Sequence, residues 1–354
     1  MTGRRLTAIG VALLAIGGGL LLWLRHASRP ITVTEGKFPE QLVYVRSADD
    51  IVDAGAMFTA PKTLAKPVAI IWIHGWGTNF YYPTYTNIGR ALAARGYTTI
   101  TANTRMHDLA NVAGERYGNR IRAGGYWGVG SEQTSDLAAW IDFAESMGFR
   151  NVVLVGHSAG WAAVRAYQAE KQDTRVVGLV SASGQIYPND PPDPKMLAEA
   201  ARLVADHRGD ELLRFPAQHR SYPSYVSAST YLDIAKTPPE LMDFYGIRTP
   251  KPAVTRIRCP LLAWFGTRDD VGTAIDLEKL KSSIQHQSRR PSRVETVLIK
   301  NADHMFTGEE TQVAETIAQW ASTLLPGSGG QRALTGIVQS AKRPISRAQS
   351  AAAN

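Results

Sequence analysis

Residues 151–163 read NVVLVGHSAGWAA. The run VVLVG (152–156) is continuous and rich in β-branched residues, the character of a strand buried on both faces of a parallel sheet. Gly156, Ser158 and Gly160 follow at alternate positions, and AGWAAVRAYQAEK (159–171) then takes up helical spacing. In a strand, G-x-S-x-G, helix arrangement the glycines relieve a turn too tight for neighbouring side chains. The serine hydroxyl is then held above the sheet edge, beside a helix N-terminus. Ser158 is therefore a candidate nucleophile. A serine is a weak one without a base, so the rest of the chain must supply its partners.

Working outward, VAIIWIH (68–74), YTTITAN (97–103), VVGLVSA (176–182), CPLLAWF (259–265) and ETVLIK (295–300) are further buried-strand candidates. YTNIGRALAARG (85–96) and SEQTSDLAAWIDFAESMG (131–148) have helical spacing and stop at glycine. Strand and helix in alternation predict an α/β domain with a mostly parallel central sheet flanked by helices and right-handed crossovers. QLVYVRS and AGAMFTA alternate more and predict an antiparallel hairpin at the sheet edge. The alternation lapses between about 185 and 250, opening with four prolines in YPNDPPDP, and a mainly helical cap insertion is expected there. Its tyrosines, Tyr222, Tyr225, Tyr231 and Tyr245, suggest a partly apolar pocket.

Of eight histidines, His304 fits the base best. It follows the last strand and precedes the C-terminal helix, in the Ser, acid, His chain order that this elbow type uses. His157 adjoins the serine, and its side chain is expected to point away around the turn. The acid is expected after the preceding strand, where GTRDD offers Asp269, preferred, and Asp270; VSASGQ, one strand earlier, has no carboxylate. Asp303 adjoins His304 too closely in sequence for that geometry and reads as a turn former. An oxyanion site needs two backbone N–H groups aimed at the developing charge. Ala159 follows the nucleophile, and the loop His74-Gly75-Trp76-Gly77 follows the strand IIWIH, with Trp76 the expected second donor.

Taken together, HGWG, GHSAG, GTRDD and NADHMF, in this order over residues 40–325, make the chain resemble the α/β-hydrolases of the serine esterase and lipase kind. The resemblance implies a Ser158-Asp269-His304 triad, acyl transfer from a small-molecule ester or acyl substrate, no cofactor, and a cap at the position of the 185–250 insertion. The fold hosts many chemistries, so the resemblance leaves amide or thioester hydrolysis, acyl transfer and a catalytically silent binding domain open. Dehalogenase and epoxide-hydrolase chemistry are excluded, because each needs a carboxylate at position 158. His74, Gly75, Tyr126 and Trp127 are candidate substrate contacts. Arg105, His107 and Asp108 read either as substrate contacts or as a loop-fixing ion pair, and Ser131 reads as a helix N-cap.

The ends account for the net charge of +8. Residues 1–29 and 327–354 carry four basic residues each and no acid, which leaves 31 basic against 31 acidic residues between them. A neutral domain gives no basic face for nucleic acid. From Leu6 to Leu24 nineteen residues carry no charge, enough to span a bilayer core at about 1.5 Å per residue. Residues 1–29 are therefore expected to be a membrane anchor, or alternatively a cleaved signal peptide, with the catalytic domain (30–326) on the exported side. The Ser/Ala-rich basic tail, 327–354, is expected to be disordered. Cys259 is alone, which rules out an intrachain disulfide, and no metal-ligand spacing such as CxxC or HExxH occurs.

Overall fold

A computed structural model describes residues 40–324, apart from 117–118, 189–190 and 216–223. The expected N-terminal anchor and C-terminal tail lie outside the described residues. Among the described residues, no helix is long and apolar enough to cross a membrane.

The chain opens with an antiparallel hairpin, β1 (Glu40–Arg46) and β2 (Val52–Phe58), as its alternating pattern predicts. Next come β3 (Val68–Ile73), α1 (Pro83–Ala94) and β4 (Thr99–Ala102), and then a separate two-stranded ribbon, β5 (Asn111–Arg116) and β6 (Asn119–Ala123). Helix α2 (Gln133–Ser146), β7 (Asn151–His157), α3 (Gly160–Lys171) and β8 (Val176–Ala182) follow. The insertion contributes α4 (Pro194–Ala205), a ribbon of β9 (Leu212–Phe215) with β10 (Ser224–Ser227), α5 (Ala228–Lys236) and the short α6 (Pro239–Met242). The sheet pattern then resumes with β11 (Leu261–Gly266), α7 (Ala274–Gln285), β12 (Val294–Ile299) and α8 (Glu310–Ala321).

The main sheet has eight strands in the order β1-β2-β4-β3-β7-β8-β11-β12, parallel from β4 to β12. The period-2 rule explains why a central strand such as β3 is apolar throughout. In β3, Ala69, Ile71 and Ile73 join a core with Trp140 of α2, Val164 of α3 and Leu280 of α7. Val68, Ile70 and Trp72 join the opposite core with Ile88 of α1 and Trp320 of α8. Each strand residue thus faces helices on one side or the other, and both faces need apolar side chains.

The insertion is less helical than expected, because β9 and β10 form a ribbon inside it. It has a small core of its own in Ala200, Leu203, Val226, Ala228 and Tyr231. The tyrosines do not line one pocket. Tyr231 is buried in that small core, Tyr245 stacks on Trp161 within the main core, and only Tyr225 remains exposed; Tyr222 is outside the described residues.

Candidate active site

The elbow at 156–160 has the geometry its glycines foretell. Ser158 adopts φ 51°, a left-handed conformation that L-residues with side chains avoid. A Cβ on Gly160 would come within 2.4 Å of the His74 carbonyl oxygen, and one on Gly156 within 2.6 Å of Trp161 Cα. The elbow therefore packs backbone against backbone on the end of β3. The Ser158 N–H donates to the Ala182 carbonyl at 2.9 Å, which fixes the turn to β8 as well.

Four neighbouring strands in the order β7-β8-β11-β12 each deliver one polar residue at the same edge: Ser158, Ser183, Asp269 and His304. His304 Nδ1–H donates to Asp269 Oδ1 at 3.1 Å, which leaves Nε2 free to accept the Ser158 hydroxyl at 3.0 Å. The structure thus brings together the three residues expected as nucleophile, acid and base. Asp269 Oδ1 also accepts the Val271 N–H at 2.9 Å, and Oδ2 accepts the Ser183 hydroxyl in a short bond. Burial works to raise the Asp269 carboxyl, yet the bonds from His304 and Ser183 outweigh it and hold the group below the ordinary carboxylate range. Its side chain is fully buried and that of His304 is 12% exposed, so the charge is shielded from water where the proton moves. Asp270 is exposed and takes no part in this contact. Asp269, Asp270 and His304 present ligand atoms within 4.8 Å of one another. A cation there would compete for Asp269 oxygens that already accept three hydrogen bonds. Asp303 caps its own turn, accepting the Thr307 N–H at 3.0 Å, as expected.

The loop after β3 lies against the elbow. A Cβ on Gly75 would stand 3.2 Å from Ser158 Cβ, so glycine permits that approach. His74 does not face a substrate: it is buried, its Nδ1–H donates to the Gly75 carbonyl at 2.8 Å, and its Nε2 accepts the Thr104 N–H at 3.2 Å. Burial pushes the His74 imidazole down to about 4, so it stays neutral and holds the loop. Among the described residues, neither the Trp76 nor the Ala159 backbone N–H donates to a protein acceptor, so both remain free for an incoming oxygen. The Trp76 ring covers Gly125 and begins an aromatic row, 6.1 Å from Tyr126, which in turn lies 6.4 Å from Tyr225.

Several expected contacts have other duties. Trp127 Nε1–H donates to the Asp210 carbonyl at 2.8 Å, and the Tyr126 carbonyl accepts the Ser227 N–H at 2.6 Å. Segment 126–131 therefore moors the insertion. Ser131 belongs to this mooring and is not a helix cap: its hydroxyl bonds Asp233 of α5 at 2.5 Å, while Glu132 stands at the N-cap position of α2 without a side-chain cap bond. Arg105 is buried among Asp49, Glu132 and Asp136, and His107 pairs with Asp108, so the loop-fixing reading holds for both.

The sequence reading erred on His157 and missed Ser183 and Tyr85. His157 does not point away. It is buried with its ring 5.0 Å from that of His304, and its Nε2–H donates to the His304 carbonyl at 2.8 Å. Its Nδ1 accepts the Tyr85 hydroxyl at 2.7 Å, and Tyr85 in turn accepts the Gly75 N–H at 3.1 Å. The signal for Ser183 was the polar S-A-S-G ending of an otherwise apolar strand.

With this geometry in view, comparisons with known proteins agree on the fold. A family model described as "Alpha/beta hydrolase family" matches residues 70–316. No curated protein matches by sequence. Among solved structures, DcsB in complex with its substrate analogue is similar, at TM-score 0.60 and 15% identity, covering 82% of this chain and 100% of that one. The alpha/beta hydrolase GrgF from Penicillium sp. superposes at TM-score 0.57 and 13% identity, covering 81% of this chain and 99% of that one. Est1E from Butyrivibrio proteoclasticus with ferulic acid bound gives TM-score 0.54 and 17% identity, covering 80% of this chain and 98% of that one. From the family match over most of its described residues, with the sheet order and elbow that accompany it, the chain belongs to the α/β-hydrolase family.

Proposed function

We propose that the protein is a serine hydrolase that cleaves carboxylic esters through an acyl-enzyme. The observation that carries this is the continuous path from Asp269 through His304 to the Ser158 hydroxyl. In the forward step His304 Nε2 takes the hydroxyl proton as Oγ attacks the ester carbonyl. The negative oxygen is met by the free N–H groups of Trp76 and Ala159, and Asp269 balances the imidazolium. His304 then protonates the leaving alcohol, and a water activated by the same imidazole releases the acid. The aromatic row from Trp76 through Tyr126 to Tyr225 supports an apolar group on the substrate.

The test is turnover of p-nitrophenyl esters from acetyl to palmitoyl, with Ser158→Ala beside the wild type and a fluorophosphonate probe for Ser158. Activity and labelling that both vanish in Ser158→Ala support the reading. Labelling that survives the substitution would refute it. Labelling without ester turnover would move the substrate to amides or thioesters.

We further propose that residues 6–24 hold the catalytic domain at a membrane, on its exported face. Nineteen uncharged residues behind two arginines support this. Full-length protein found soluble after a carbonate wash, with those residues missing by mass, would point instead to a cleaved signal.

A further inference from the structure

The base arrives from far away. β12 lies three strand spacings from β7, about 14 Å across the sheet. The loop bearing His304 must lean back over β11 to reach Ser158, and it does so against bare backbone: a Cβ on Gly266 would strike the Ala302 carbonyl oxygen at 2.1 Å. The side-chain bond to Ser158 cannot hold that loop in place, because it exchanges its proton in every turnover. Another contact has to fix the His304 backbone.

The Ala302 carbonyl accepts the Arg268 N–H at 2.9 Å and the Asn301 N–H donates to Thr267 Oγ1 at 2.8 Å, and at the His304 backbone itself the contact is His157. A carbonyl can only accept, so the bond to the His304 oxygen assigns the proton to His157 Nε2 and leaves Nδ1 to accept from Tyr85. Tyr85 can donate there because a phenol is protonated at neutral pH, and burial lifts its hydroxyl further, to about 12. Its oxygen meanwhile receives the Gly75 N–H, one residue before the free Trp76 N–H. Trp72, Tyr85 and Phe306 surround the His157 ring, and Gly75 approaches it so closely that a Cβ would sit 3.0 Å from Nδ1. The imidazole therefore cannot rotate away from either partner.

We propose that His157 is a positioning residue for the hydrolase reaction: one neutral imidazole ties the base loop, through the His304 carbonyl, to the oxyanion loop, through Tyr85 and Gly75. It touches no reacting atom. Its work is to keep the base loop and the oxyanion loop in register beside Ser158. The inference rests on the serine-hydrolase reading.

The test uses the full chain with His157→Phe, which fills the aromatic box without hydrogen bonds, Tyr85→Phe, which removes the hydroxyl alone, and the double variant. His157→Gln keeps an amide N–H to reach the His304 carbonyl. The readouts are kcat, KM and the rate of Ser158 labelling by a fluorophosphonate. His157→Phe is expected to lower kcat and labelling rate by about 10- to 100-fold with KM little changed. Tyr85→Phe should give a smaller loss in the same quantities. The double variant should be no worse than His157→Phe, because both act through one link. His157→Gln should recover part of the labelling rate. Wild-type labelling in Tyr85→Phe, labelling in His157→Gln no faster than in His157→Phe, or losses that multiply in the double variant would overturn the inference while the hydrolase reading stands. If His157→Phe does not fold, Tyr85→Phe and His157→Gln decide the matter. A wild type that never labels at Ser158 removes the hydrolase reading and this inference with it.

Discussion

Removing the Ser183 hydroxyl isolates one support of the candidate acid. Ser183 and the Asp269 side chain are both fully buried, and the Ser183 hydroxyl is the donor on Oδ2. A hydrogen bond to a charged group contributes about 1.5–3 kcal/mol, and here no water can replace it. In a domain of this size that corresponds to a fall in Tm of about 3–5 °C for Ser183→Ala at neutral pH. The sign of its pH dependence follows from Asp269. Its carboxyl is held below the ordinary range in the fold, so the stabilisation is complete above the unfolded pKa and is lost as pH falls through the lowered folded value. The gap in Tm between wild type and Ser183→Ala should therefore be full from pH 6 to 8, begin to narrow near pH 4 and close as pH falls through the lower folded value. Because a carboxylate held at one oxygen can swing, kcat on an ester should drop by about 3- to 30-fold, and KM should stay put because Ser183 reaches no substrate. Thermal melts across that pH range and initial rates at pH 7.5 measure both. A Tm gap equally large at pH 3 would show that the hydroxyl serves packing and not the Asp269 charge, and the reasoning would fail.

Three further outcomes are expected. Asp269→Asn should lower kcat by about 10³- to 10⁴-fold, since it reverses the donor at His304 Nδ1, while exposed Asp270→Asn should stay within about twofold; the opposite ranking in a kcat comparison would move the acid. Gly160→Ala drives a methyl group into backbone oxygens of Ile73 and His74 that no rotamer can clear, so it should cost about 1–3 kcal/mol in a denaturant melt and misplace the oxyanion loop; wild-type stability and rate would contradict the packing described. Asp53 is buried beside Asp136 and Arg105 with neither carboxyl oxygen hydrogen-bonded, and burial followed by the Asp136 charge raises its carboxyl well above the ordinary range. Folding then has to take up a proton there, a cost absent below the unfolded pKa and growing as pH rises through the window up to the folded value. Asp53→Asn should accordingly melt higher than wild type at pH 8 and lose that advantage by about pH 4, and an advantage independent of pH would count against a protonated Asp53.

The fold and the candidate site residues are legible in the sequence because each leaves a local mark. A central parallel strand such as β3 is apolar at every position, and an elbow needs Gly156 and Gly160. A base or acid at a strand end interrupts an apolar run with a charge, as in GTRDD and NADHMF. What stayed hidden depends on partners far apart in the chain. The Ser183–Asp269 bond spans 86 residues and the Tyr85–His157 bond 72, and no spacing rule encodes either. The place of His157 is hidden for the same reason, since its partners, the Tyr85 hydroxyl and the His304 carbonyl, come from distant segments. The ribbons β5–β6 and β9–β10 were missed because segments such as NVAGER and LLRF are too short to show a period.

The base loop and the elbow it leans on are 146 residues apart. During synthesis Ser158 and its turn emerge long before β12 and the loop beyond it exist. A chain that stops before residue 304 lacks the imidazole that bonds the Ser158 hydroxyl. On the proposed mechanism, hydrolysis would therefore await the docking of the loop beyond β12, and turnover would double as a report that this loop has closed on the elbow.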